Sequence, residues 1–175
     1  MSTTIVETPI GDLTVIASPA GLRYVLFEGE TPPPGAAEDA ATAEGTAVAE
    51  AALAQLKEYF AGSRTSFDLP LDIPGTAFQQ KAWRALATIP YGETISYAEQ
   101  ADRIGHPRAT RAVGSANGRN PVPIVLPCHR VVASGGGLGG YGGGLDLKQR
   151  LLDHERSPGG GMGRDGMALS PLRVT

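Results

Sequence analysis

Ser96-Tyr-Ala-Glu-Gln-Ala-Asp-Arg-Ile-Gly105, a break at His106-Pro107, and Arg108-Ala-Thr-Arg-Ala-Val-Gly-Ser-Ala-Asn117 form the stretch from which the fold can be read outward. Two short helical segments joined by a tight, glycine-containing turn are the helix-turn-helix pattern. The second segment is built from Ala, Gly, Ser and Thr, so its backbone can approach a partner closely. Helix pairs of this kind also occur in proteins that never touch DNA, and the segment alone leaves both readings open. Its charge leans one way: Ser96–Arg130 holds Arg103, Arg108, Arg111, Arg119 and Arg130 against only Glu99 and Asp102.

The asymmetry extends to the whole 175-residue chain, whose net charge is −3. Residues 1–74 carry three basic and eleven acidic side chains, whereas residues 75–175 carry twelve basic and seven acidic. Such asymmetry suggests an anion-facing C-terminal half, and ordinary solvated faces are the alternative reading of so modest an excess. No apolar stretch has the length that spans a bilayer. The N-terminus lacks a basic segment followed by an apolar run, so a cytoplasmic protein is expected. One cysteine excludes an internal disulfide, which agrees with a reducing compartment. Three histidines and one cysteine without short ligand spacing predict no metal.

Towards the N-terminus, Thr4–Thr8, Leu13–Ser18 and Leu22–Phe27 read as three strands joined at Pro9-Ile-Gly-Asp12 and Pro19-Ala-Gly21. Residues 31–46, with three prolines, read as a mobile loop, and a helix over Val48–Ala61 follows, with Val48, Ala52, Leu53, Leu56 and Phe60 on one face. Leu69–Pro74 is an extended linker. Thr76 caps a helix carrying Phe78, Ala82, Trp83 and Leu86, closed by Pro90-Tyr-Gly92. Beyond the helix pair, the glycine-dense run 135–144 lacks the Lys-Ser/Thr ending of a phosphate loop. Asp146–Glu155 is a last helix. The fold class is therefore α+β: a small N-terminal antiparallel sheet with a helix over residues 1–74, then a mainly helical domain over 75–156. Residues 157–175 read as a disordered tail.

The lone Cys128 sits in Asn120-Pro-Val-Pro-Ile-Val-Leu-Pro-Cys-His-Arg130. Thiolate is the reactive form of cysteine, and neighbouring His129 and Arg130 are expected to lower the thiol pKa. Spacing alone leaves a catalytic thiol and a structural one both open.

Taken together, Pro90-Tyr-Gly-Glu93, Ser96-Tyr97, Arg111-Ala-Val-Gly114, Asn120-Pro121, Pro127-Cys-His-Arg-Val131, Tyr141, Gly143-Gly144-Leu145 and His154-Glu155 resemble the O6-alkylguanine-DNA alkyltransferase family. The match runs in order from about Gly75 to Glu155. It implies direct reversal of DNA damage, by irreversible transfer of the alkyl group from O6-alkylguanine (and O4-alkylthymine as a further candidate) to Cys128. Each molecule would react once. No cofactor is implied.

The resemblance also implies roles. His129 would take the thiol proton, Glu155 would hold the imidazole like the third member of a triad, and Asn120 would orient the turn. The target atom lies in the base stack, so the base must be flipped out. Arg111 would fill the gap. Tyr97 would bond the flipped base, Tyr141 would close over it, the Gly142 N–H would lie near O6, and the carbonyls of Cys128 and Val131 would read the exocyclic amine. Ser96, Thr110, Arg111, Ala112, Gly114, Ser115, Arg119 and Arg130 would contact duplex DNA through the minor groove, which carries little sequence code. The protein is expected as a monomer, with clustering on DNA left open.

Without the resemblance, Glu155 reads as an exposed helix-end carboxylate and both tyrosines as half-buried packing. Some relatives carry Ser in place of Gly142, and some bind zinc through N-terminal cysteines and histidines, residue types this chain lacks before His106. Two competing classes remain: a module that binds alkylated DNA without transfer, and a Cys-His-Glu hydrolase, which would need an oxyanion hole.

Overall fold

The first strands are rich in β-branched residues, which suit a pleated, half-buried surface. In the computed structural model, which describes residues 1–37 and 39–157, β1 (Ser2–Thr8), β2 (Gly11–Ser18) and β3 (Gly21–Leu26) form an antiparallel sheet in that order. Val6 pairs with Leu13 and Val15 with Val25, all buried. Val15, Ile16 and Ala17 are consecutive yet all buried, which strict alternation forbids. The register shifts opposite Arg23, an extra β3 residue between Leu22 and Tyr24.

Helix α1 (Ala43–Phe60) covers the sheet through Gly45, Ala49, Ala52, Leu56, Tyr59 and Phe60. It begins earlier than the sequence reading, and residues 43–46 belong to it rather than to a loop. Thr42 supplies the reason: its hydroxyl accepts from the Gly45 N–H at 3.1 Å and caps the helix. Val48 and Leu53 are only half-buried, so the buried stripe lies one residue round from the expected face. The linker is extended, as read, and lies along β3: the Leu22 N–H donates to Pro70 O at 2.7 Å and Asp72 N–H to Leu22 O at 2.9 Å.

These elements belong to one compact unit, Met1–Pro74, and Gly75–Arg156 forms a second. In the second, Thr76 and Gln79 form a capping box that starts α2 (Ala77–Leu86). Helices α3 (Tyr97–Arg103) and α4 (Thr110–Asn117) follow, joined through Gly105. They pack with α2 around Ala82, Ala101, Ile104, Val113 and Ala116. Polar bonds fix α4 inside this small-residue core. Gln100 and Asn117 exchange amide hydrogen bonds at 3.0 and 2.7 Å, and Trp83 Nε1 donates to Ala116 O at 2.8 Å. Buried amides left unpaired would each cost about 1–3 kcal/mol, so these bonds specify one helix arrangement.

Two short strands, β4 (Ile95–Ser96) and β5 (Val131–Val132), pair in parallel. They bring the start of α3 beside the end of a single 3-10 turn, Cys128–Arg130. Helix α5 (Leu145–Arg156) closes the unit. Among the described residues no helix is long and apolar enough to cross a membrane. The expected tail lies, apart from Ser157, outside the described residues.

Candidate active site

The chain reaches Cys128 through a constrained turn. Asn120 holds it from both sides: its Nδ2 donates to Leu126 O at 2.8 Å and its Oδ1 accepts from Val122 N–H at 3.0 Å. Inside this staple Ile124 is fully buried with φ of 73°, a conformation a β-branched residue adopts only when its surroundings impose it. Cys128 opens the following 3-10 turn, 7% exposed.

Its thiol faces a cavity of about 520 Å³ lined by Tyr97, Thr110, Arg111, Gly114, Asn117, Gly118, Gly140, Tyr141 and Gly142, within the range of small-ligand sites. Thus α4 forms one wall and the glycine-rich loop another. Thr110, Arg111, Ala112, Ser115 and Arg119 are exposed on or just beyond α4, and Gly114 is half-buried. Ser96 has a structural task, since its hydroxyl accepts from the Glu99 N–H at 3.0 Å and caps α3.

Behind the thiol lies a buried charge cluster. His129 is fully buried, and its Nε2 is 2.7 Å from Glu155 Oε1. Arg130 Nε donates to Glu155 Oε2 at 2.8 Å and Nη2 to Oε1 at 3.0 Å, while Nη1 donates to Ile89 O at 2.6 Å. The Gly92 N–H adds a bond to Glu155 Oε2 at 3.2 Å. Glycine is required there: φ is +79° and a Cβ would lie 3.1 Å from Glu155 O. Pro90-Tyr-Gly92 is thus a cradle for Glu155, and the Tyr91 ring lies 5.7 Å from the Arg130 guanidinium carbon.

Two expectations are corrected. Arg130 is not a DNA contact: it is 6% exposed and its donors are engaged inside the protein. Nor do His129 and Arg130 lower the Cys128 pKa. Burial pushes the thiol up, and the Asn120 amide, Lys148 charge and nearby backbone N–H groups offset this only in part. Arg130 is neutralised by Glu155, and burial lowers the His129 pKa despite Glu155. For Glu155, burial would raise the pKa, but the hydrogen bonds from His129 and Arg130 and the Arg130 charge outweigh it and hold the carboxyl well below the usual range. A carboxylate facing Nε2 assigns the ring proton to Nε2. Nδ1 is left as an unpartnered buried nitrogen.

Residues 77–157 match the 6-O-methylguanine DNA methyltransferase, DNA binding domain, and residues 1–73 match the 6-O-methylguanine DNA methyltransferase, ribonuclease-like domain. The chain belongs to the 6-O-methylguanine DNA methyltransferase family. A methylated-DNA–protein-cysteine methyltransferase of Mycolicibacterium paratuberculosis is 50% identical over 151 residues, 86% of this chain and 90% of that one. A crystal structure of Mycobacterium tuberculosis OGT in complex with DNA matches with a TM-score of 0.78 at 46% identity, covering 87% of this chain and 91% of that one. An O6-methylguanine DNA methyltransferase from Methanococcus jannaschii matches at 0.61 and 28% identity, covering 87% and 93%.

Lys148 was not singled out by sequence reasoning. It is fully buried on the first turn of α5, and its Nζ donates to Val131 O at 2.6 Å, to Gly140 O at 3.1 Å and to Leu138 O. The absence of a hydrophobic residue at its place on an amphipathic helix was the one available signal. Burial lowers its pKa to about 8.

Proposed function

We propose that this protein repairs DNA by transferring the alkyl group of O6-alkylguanine to Cys128. The observation that carries this is a single buried cysteine on a cavity between an arginine-bearing helix and a glycine-rich loop, backed by the His129–Glu155 pair. Cys128 sulfur attacks the alkyl carbon in line as the carbon–O6 bond breaks, and that electron pair stays on guanine. The thiol proton passes to His129 Nδ1 through a bridging water; the departing guanine anion takes up one proton on its ring as the imidazolium gives one back to the water. The products are an S-alkylcysteine and normal guanine, and because an alkyl thioether is inert to water the cysteine is spent.

Glu155 stabilises the imidazolium formed as the thiol ionises and keeps the basic nitrogen on the Cys128 side. Its bidentate pairing with Arg130 keeps it ionised throughout. Tyr97, the Gly142 N–H, and the carbonyls of Cys128 and Val131 hold the flipped base, Tyr141 covers it, and Arg111 fills the gap in the stack. Exposed small residues Ala112 and Ser115, with Gly114, let α4 enter the minor groove as a monomer. A supporting experiment follows loss of O6-methylguanine from a duplex with protein in shortfall. One lesion removed per protein molecule is expected. Continued turnover points to a hydrolase, and tight binding without loss points to a sensing module.

A further inference from the structure

Among the described residues, no carboxylate pairs with the buried Lys148 ammonium. A charge removed from water must be compensated, and here neutral oxygens do it. Three N–H donors meet three carbonyls, those of Val131, Leu138 and Gly140, and the Tyr97 hydroxyl lies 3.5 Å away. The ammonium also sits 5.6 Å from the Tyr97 ring centroid. Strand β5, the glycine-rich loop and the first residue of α3 are therefore tied to one atom on α5.

That tie matters most for residues 138–140. The loop's backbone bonds are local: Ala133 N–H to Gly137 O, Gly136 N–H to Ala133 O, and Gly144 N–H to Tyr141 O. Among the described residues, the hydrogen bonds that tie 138–140 to the rest of the unit are those to Lys148 and one from the Tyr97 hydroxyl to Gly140 O at 3.3 Å. The loop is also pressed onto Tyr97. Gly139 has φ of +72°, and a Cβ there would lie 2.7 Å from the ring. Gly140, Tyr141 and Gly142 then form the cavity wall opposite α4.

We propose that Lys148 is a positioning residue that pins segment 138–140 against Tyr97 and so fixes the width of the Cys128 cavity. A pinned wall grips a flipped base bearing a compact O6 substituent. An unpinned wall holds that base poorly and loses its preference for small over bulky groups. Lys148 positions the substrate through the carbonyls and hydroxyl it orders, apart from the effect of its charge on the Cys128 thiol. This rests on the alkyl-transfer function of the cavity.

The test compares the wild-type protein with Lys148→Met, which keeps the stem and removes the charge, and with Gly139→Ala, which crowds Tyr97 and leaves the charge alone. Hydrogen exchange of the 137–142 amides in the DNA-free protein is the first readout, and in both variants it should quicken about tenfold or more while α2 to α4 stay protected. Single-turnover transfer from duplexes bearing O6-methylguanine or O6-benzylguanine is the second. Both variants should raise the half-saturating concentration for the methyl lesion about tenfold and shift preference towards benzyl, and Gly139→Ala, which keeps the charge near Cys128, should hold the limiting rate within about threefold. Unchanged exchange overturns the pin. A collapsed limiting rate in Lys148→Met alone, with half-saturation unchanged, also overturns it and gives Lys148 a role in the chemistry. Failure of the wild-type protein to transfer at all would refute the function, and the exchange result would still judge the pin.

Discussion

Replacing Glu155 by glutamine strips one charge from the centre of the buried cluster while preserving its volume. The carboxylate accepts from His129 Nε2 at 2.7 Å, Arg130 Nε at 2.8 Å, Arg130 Nη2 at 3.0 Å and Gly92 N–H at 3.2 Å. Glutamine has one acceptor oxygen. Placed at the Oε2 position it still serves Arg130 Nε and Gly92, and the amide NH₂ then faces His129 Nε2 and Arg130 Nη2. The imidazole must accept at Nε2 and move its proton to Nδ1, the nitrogen needed as base. In a serine-protease triad the equivalent inversion costs about 10⁴ in rate, and a fall of about 10³–10⁴ is expected here. Breaking a buried ion pair adds a stability loss of about 3–5 kcal/mol. Urea unfolding gives the folded fraction, and timed intact-protein mass spectra with free O6-benzylguanine give the transfer rate per folded molecule. A rate within about threefold of wild type would refute the tautomer reasoning.

Arg111→Ala should slow repair of duplex DNA far more than attack on free O6-benzylguanine, since a free base needs no flipping; equal slowing would remove the arginine wedge. Acid stability follows from Glu155, whose folded pKa is depressed. Its contribution is complete above the unfolded carboxylate value of about 4.3 and is lost as pH falls towards the folded value. Buried neutral His129, also depressed, adds to the loss below about 6.5. Urea midpoints should therefore fall steadily from pH 7 to 3, and a flat profile would contradict the charge cluster. Because burial raises the Cys128 pKa, iodoacetamide should label the DNA-free protein slowly at pH 7 and faster as pH rises; rapid labelling at pH 6 would show a thiolate already formed.

What could be read from the chain beforehand was whatever depends on neighbours close in sequence. The three N-terminal strands with their turns, the Thr76 cap and the helix pair are local, and each stands close to where the residues put it. The start of α1 was hidden because Gly45 and Thr46 resemble loop residues, and only the Thr42 cap and burial against the sheet outweigh that. Arg130 misled for a different reason. In a basic segment it reads as a phosphate contact, and its true partner is 25 positions away on α5. Lys148 was invisible because its partners are backbone carbonyls, which every residue has. The Cys-His-Glu grouping became readable only through motif resemblance, since spacing alone makes Glu155 an exposed helix end.

The most direct test of alkyl transfer is an intact-protein mass spectrum after mixing with a duplex that holds one O6-methylguanine. Cys128 is the single thiol of the chain, so the modified position is unambiguous. The prediction is a gain of one CH₂ unit on all active protein, absent in Cys128→Ala. An unchanged mass, with the lesion duplex still bound, would contradict alkyl transfer and leave a protein that recognises damage without reversing it.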